Sequence, residues 1–216
     1  VTVIPLFPLG TVLLPGGSLT LQIFEPRYVA LLADLLAAQD EHPPDFGVVA
    51  IRRGFEVGEQ AAPQLHEVGC LARIRQAADL GDQRYVVVAE GRDRFVLGDL
   101  TSHAGKPYLQ AEVQLLPETG GELPSLALAG RLREEVAAYR RSLGAEHVES
   151  PESSEEVSYW LPDVVELGLE ERQSILAAPR TEDRLRLALR IVRRERGLTA
   201  SLRTRGRPPD GPMSPN

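Results

Sequence analysis

Apolar positions at the start of the chain follow a strand-like alternation broken by turn chemistry. Val3-Ile4-Pro5-Leu6-Phe7-Pro8-Leu9 is an apolar run with two prolines. Proline gives no N–H to a sheet ladder, so this predicts an edge strand or a short strand with bends. Val12-Leu13-Leu14 leads into the turn residues Pro15-Gly16-Gly17. Leu19, Leu21 and Ile23 then alternate with Thr20 and Gln22, which predicts a strand with one buried face. At Phe24-Glu25-Pro26 the period changes. Pro26 suits the first helical position, and Glu25 sets negative charge at the positive end of the helix dipole. Tyr28, Leu31, Leu32, Leu35 and Leu36 continue as a helical stripe. A helix is expected over 26–39, ending before Pro43-Pro44.

Period two then returns. A buried strand is expected over 46–51, and a polar, glycine-bearing loop over 54–63. Val68, Cys70, Ala72 and Ile74 share one face of the next strand, with Arg73 and Arg75 on the other. Gly81-Asp82 marks a hairpin turn. Strands over 85–89 and 94–97 are expected to be joined by Glu90-Gly91-Arg92-Asp93, and 108–115 alternates cleanly. Many short strands with one helix predict a small closed or partly closed barrel. Residues 117–124, with Gly120-Gly121 inside, read as a linker.

Beyond it the stripe is helical: Leu126, Ala129, Leu132, Val136, Tyr139 and Leu143. Ser153 and Glu156 have capping-box spacing. The helix after them carries Val157, Trp160, Leu161 and Val164 and is expected to kink or break at Pro162. A short helix over 169–178 follows. Thr181 then caps a last helix bearing Leu185, Ala188, Leu189 and Val192. From Gly197 the chain is basic and poor in apolar residues. The chain thus reads as α+β, with a barrel lobe over 1–118, a helical bundle lobe over 122–205 and a disordered tail over 206–216. The barrel is expected to stay folded when cut near Pro117.

The length of 216 residues fits one large domain or two small ones. No apolar run approaches the roughly 20 residues that span a membrane. The sequence opens on a strand, without a basic segment and apolar core, so no signal peptide is expected in it. Cys70 is the only cysteine, which leaves no internal disulfide or cysteine zinc site and suits the cytoplasm. His42, His66, His103 and His147 stand too far apart in sequence to predict a metal site. A net charge of −7 argues against general nucleic-acid affinity. The charge is segregated: every charged residue over 146–171 is acidic, and over 184–207 Glu195 is the only acid among many arginines. Either these segments neutralise each other, or the arginines form an exposed basic stripe.

Catalytic chemistry is missing from the pattern. Lys106, the only lysine, sits in Gly105-Lys106-Pro107 ahead of a strand. A phosphate-cradling loop needs Gly-Lys-Ser or Gly-Lys-Thr opening a helix, and a serine–lysine dyad needs a desolvated lysine. No Gly-x-Ser-x-Gly elbow occurs. No catalytic residue, cofactor or metal is expected.

Residues 3–28, with the proline-broken strand, the Val-Leu-Leu-Pro-Gly loop and Ile23-Phe24-Glu25-x-Arg27-Tyr28, resemble the start of the Lon protease N-terminal domain. Val68-Gly69-Cys70-Leu71-Ala72-Arg73-Ile74 is similar to that family's Val-Gly-Thr-x-Ala-x-Ile strand, with Cys70 in the threonine's place. Glu90-Gly91 before Arg94-Phe95 resembles its Glu-Gly hairpin, and Tyr108 with Ala111-Glu112-Val113 its last barrel strand. Leu169-Glu170-Glu171-Arg172 and Glu182-Asp183-Arg184-Leu185 resemble its closing helices. The resemblance implies a PUA-like N-terminal β-barrel with one packed helix, followed by a C-terminal α-helical bundle. It also implies a stand-alone, non-catalytic, substrate-recognition module for unfolded or extended protein segments, taken up in a groove between barrel and bundle. Alternatives are a component that delivers substrates to a separate ATP-dependent protease or a chaperone, and an RNA-binding protein. The expected peptide-binding residues are Phe24, Glu25, Arg27 and Tyr28, where barrel edge and first helix meet. A purely structural role is open beside this: Glu25 bonding N–H groups at the helix start, Arg27 pairing with a barrel carboxylate, Tyr28 heading the buried stripe.

Overall fold

The computed structural model of the chain describes residues 2–38, 43–53, 64–101 and 105–205. The loop expected over 54–63 and the tail over 206–216 lie outside them. The described strands are β1 (Thr2–Leu9), β2 (Ser18–Ile23), β3 (Asp45–Arg53), β4 (Gln64–Leu65), β5 (Val68–Asp79), β6 (Tyr85–Thr101) and β7 (Gln110–Leu116). The helices are α1 (Pro26–Ala37), α2 (Glu122–Leu143), α3 (Ser154–Val164), α4 (Leu169–Ala177) and α5 (Thr181–Arg205). The chain is mixed α and β, and it divides into two units. One is Val1–Thr119 with Glu166–Arg180, the other Gly120–Val165 with Thr181–Asn216. The expected lobe boundary thus needs one correction: α4 groups with the strands and not with the other late helices.

In the first unit β1 pairs antiparallel with β7 over its first half and parallel with β3 over its second. The order β1-β7-β6-β5-β3 therefore returns to β1. Each half of β1 has one ladder neighbour, which leaves a side without a ladder for Pro5 and Pro8. Leu6, Phe95, Ala111 and Val113 form a buried cluster, with Ile4, Leu65, Leu71, Leu97 and Leu109 packed on it. Gly69 and Gly47 leave room for the Phe95 ring: a Cβ on Gly69 would stand 2.3 Å from a ring carbon. Asp45 and Arg73 face each other across β3 and β5 and form a bidentate pair with both bonds at 2.7 Å.

β6 corrects the expected turn at Glu90-Gly91-Arg92-Asp93. It is one strand of 17 residues. Its first part pairs with β2 and its last part with β7, while β5 runs along both. Gly91 sits where the neighbour changes. It exchanges backbone bonds with Gly16 and Gly17 at 2.9 and 2.8 Å. A Cβ there would lie 2.1 Å from the Leu14 carbonyl oxygen. The glycine permits a close backbone approach and makes no turn.

α4 is held in this unit by a buried cation. Arg94, on β6, is 1% exposed. Its Nη1 donates to the carbonyls of Leu176 and Ala178 at 3.0 and 2.8 Å, and its Nε donates to Glu118 at 2.9 Å. A positive charge thus meets the carbonyl end of α4, where the helix dipole is negative. Gln173 adds a bond to the Val68 carbonyl at 3.0 Å. No short-range pattern in the sequence announces the Leu176 and Ala178 carbonyls, which lie about 80 residues from Arg94.

In the second unit α2, α3 and α5 pack pairwise on one another. Ala129, Leu132, Val136, Val157, Leu161, Leu185, Ala188 and Val192 are buried between them, with Trp160 also buried. The ends of the α2 stripe, Leu126 and Leu143, are exposed. The capping box forms as expected: Glu156 N donates to Ser153 Oγ at 3.1 Å, and Ser153 N to Glu156 Oε2 at 3.3 Å. Pro162 does not break α3, which runs on to Val164. Thr181 is the first residue of α5 and accepts from Arg184 Nη2 at 3.0 Å. α5 continues through Gly197, past the end of its apolar stripe. Glu182, buried in the first turn of α5, accepts a bond from Gly121 N at the start of α2. One carboxylate thus faces the positive ends of two helices. Within the basic stretch, Arg193 and Arg196 pair with Glu135 of α2, outside the acidic segment 146–171.

Candidate functional site

The corner between β2 and α1 is built by the change of period at residue 24. β2 ends with Leu21 and Ile23 buried and Thr20 and Gln22 exposed. Phe24 follows with 58% of its surface exposed, a large apolar side chain left in solvent. Glu25 is the N-cap residue of α1, with Pro26 at the first helical position. Its side chain makes no capping bond. It accepts instead from Arg27, at 3.1 Å from Nε and 2.9 Å from Nη2. The capping expectation is therefore corrected: Glu25 does not cap, and its carboxylate is a partner of Arg27. The Arg27 guanidinium lies 4.6 Å from the centre of the Tyr28 ring. Tyr28 is buried at the head of the stripe, and its ring stacks on Phe7 at 3.8 Å and 12°. An ion pair whose side chains keep 30% and 19% of their surface contributes about 0.2–1 kcal/mol, so its effect is to orient Glu25 more than to stabilise the fold.

Phe24, Glu25 and Tyr28 line a groove of about 220 Å³. Arg27 does not line it. β1 contributes Phe7, Pro8 and Leu9, and β2 contributes Thr20, Leu21 and Gln22. These strand residues were missed in the sequence. Pro8 was a usable signal, since a proline in an apolar strand marks a place without a ladder partner. Among the described residues β2 pairs with β6 alone, so its other edge carries backbone groups with no strand against them. The groove thus combines aromatic and aliphatic walls, one carboxylate and an open strand edge.

Nothing in the groove resembles a nucleophile with its base. Lys106 is engaged elsewhere: its Nζ donates to Asp34 of α1 at 2.7 Å, and Tyr108 donates to the same oxygen at 2.6 Å. These two bonds, that of Lys106 first, hold the Asp34 carboxyl below its usual range. The Asp34 bond in turn raises the Lys106 ammonium, so this lysine stays charged. Cys70 is fully buried, and burial pushes its thiol up to about 12. Among the described residues no group of three His, Cys, Asp or Glu side chains could hold a metal ion. No described helix is long and apolar enough to cross a membrane.

The profile of the ATP-dependent protease La (LON) substrate-binding domain matches residues 3–194. The Lon protease of Anaeromyxobacter dehalogenans is 31% identical over 204 residues, which are 90% of this chain and 23% of that protein. Lon protease 2 of Myxococcus xanthus is also 31% identical, over 90% of this chain and 24% of the relative. The chain thus spans about a quarter of the length of these curated relatives. Among solved structures, a Lon N-terminal domain protein from Xanthomonas campestris superposes with a TM-score of 0.65 at 24% identity, covering 88% of this chain and 98% of that one. The N-terminal domain of the Mycobacterium avium complex Lon protease gives 0.64 at 17% identity, covering 89% and 98%. At these identities the two structures speak for the fold.

Proposed function

The chain belongs to the LON substrate-binding domain family, and on that premise we propose that it is a non-catalytic module binding unfolded or extended protein segments. The observation that carries this reading is the aromatic-edged groove beside the open edge of β2. An extended segment would add its backbone to that edge, with an apolar side chain against Phe24, Phe7 and Leu9. We read the closed strand order as the PUA-like barrel, and α2, α3 and α5 as the helical bundle, that the resemblance implies. A stand-alone role in the cytoplasm, with delivery to a separate protease or chaperone, is the wider setting we propose. These 216 residues contain no Gly-Lys-Ser or Gly-Lys-Thr. The RNA reading is not favoured: the net charge is −7, and Arg193 and Arg196 are paired with Glu135.

The test is fluorescence anisotropy of a labelled, permanently unfolded polypeptide titrated with the full chain, against Phe24→Ser. The wild-type chain should bind, and the variant should bind at least about tenfold more weakly with an unchanged melting curve. Equal binding by both refutes the groove. Cleavage of the polypeptide by the pure chain with ATP refutes the non-catalytic reading.

A further inference from the structure

The second unit carries a pocket that the groove reading does not use. It measures about 200 Å³ and lies between α2 and the segment that follows it. Its apolar wall is Val136, Ala137, Val148 and the buried Trp160. Its charged wall is Arg133, Arg140 and Arg141, with Glu146 as the one acid. Two of the arginines fasten the pocket shut along one side. Arg133 donates to Ser150 Oγ at 3.0 Å and to the carbonyls of Pro151 and Glu152, each at 2.8 Å. Arg140 Nε donates to the Glu146 carbonyl at 2.9 Å. Gly144, at φ 71°, turns the chain so that this segment folds back over α2. The walls are thus held by bonds between α2 and its own continuation. Arg141 is exposed on the rim and has no side-chain partner among the described residues.

An apolar wall facing a surplus of guanidinium groups selects a ligand with two ends. Arginine forks match carboxylate geometry and hold it by charge-assisted bonds. The apolar wall takes a group of modest size, since the volume falls short of the roughly 300 Å³ at which drug-sized pockets begin. We propose that this pocket binds an aliphatic carboxylate, with the alkyl group against Trp160 and Val136 and the carboxylate on Arg141. Such chemistry has two sources: the C-terminal residue of a polypeptide, or a free short-chain acid. The site is independent of the groove at Phe24, and Phe24→Ser leaves it intact.

Trp160 is the only tryptophan, so its fluorescence and its indole N–H resonance both report on the pocket wall. The full chain is titrated with 4-methylpentanoate, N-acetyl-leucine and N-acetyl-leucinamide. Both acids should give saturable changes in the millimolar range, and the amide should give none. Arg141→Gln should weaken acid binding about tenfold, as for one lost bond to a charged group. Ala145→Leu, on the exposed rim, should abolish it without moving the melting curve. Tighter binding of N-acetyl-leucine assigns the site to a chain terminus, and tighter binding of 4-methylpentanoate assigns it to a free acid. Equal binding of acid and amide, wild-type binding by both variants, or a flat titration with an unmoved indole resonance overturns the proposal.

Discussion

Replacing Arg94 by methionine should release α4 from the strand unit while the strands keep their pairing. The side chain is 1% exposed and reaches two carbonyls at the end of α4, plus Glu118. A bond to a charged group contributes about 1.5–3 kcal/mol, and removing one side of a buried pair costs about 3–5 kcal/mol. Glu118 keeps 26% of its side-chain surface and can rehydrate. Solvent also reaches the carbonyls once α4 lifts. The lower end applies, about 3 kcal/mol, a large fraction of the roughly 5–15 kcal/mol that holds a domain together. Arg94→Lys keeps the charge but offers one point of contact where the guanidinium offers a fork, so it should recover about half. Hydrogen exchange read by mass spectrometry locates the loss. Amides over 169–177 should lose protection in Arg94→Met while those over 85–97 retain it. An unfolding free energy from urea melts within about 1 kcal/mol of wild type, or unchanged protection over 169–177, would refute the role given to Arg94. The same contacts revise the expectation for a chain cut near Pro117: it loses α4, leaves Arg94 without those carbonyls, and should be less stable than the full chain.

Cys70 should resist thiol reagents in the native protein and react at once in denaturant, as its burial and raised pKa require. The thiol stays neutral in the fold to about pH 12 but ionises near 9 when exposed. Stability should therefore be undiminished by this group below pH 9 and fall as pH rises from there, which urea melts at pH 8 and pH 10 would detect. Gly91→Ala places a methyl group 2.1 Å from the Leu14 carbonyl oxygen and should cost about 1–3 kcal/mol, whereas Gly130→Ala, with open space and a helical site, should stabilise slightly. Glu182→Gln removes the charge facing two helix starts and should lower the melting temperature of the second unit, with a loss that changes little with salt because the carboxylate is buried.

The sequence was a good guide wherever one element explains itself. The capping box at Ser153, the proline start of α1 and the buried stripe behind Tyr28 depend on residues a few positions apart, and each is found in the structure. The errors fall where the reason is distant. Gly91 looks like a turn because glycines usually are, but its cause is the Leu14 backbone, brought close by the register of β2. α4 looks like one of several late helices, and the reach of Arg94 and the Gln173 bond to Val68 assign it to the strands. Of the candidate site, Phe24 and Tyr28 stood at a change of period and could be named. Phe7, Pro8 and Leu9 could not, because they reach the groove through the course of β1.

Among the described residues β2 is attached to the rest of the sheet on one side only. The circuit β1-β7-β6-β5-β3 closes without it. A substitution at Thr20, Gln22 or Phe24 therefore alters the groove while every rung of the circuit stays in place. On the proposed function, a ligand-binding surface built there would be free to drift through many sequences, because the closed circuit does not depend on any of them. Selectivity could then diverge between related chains long before their fold shows a trace of it.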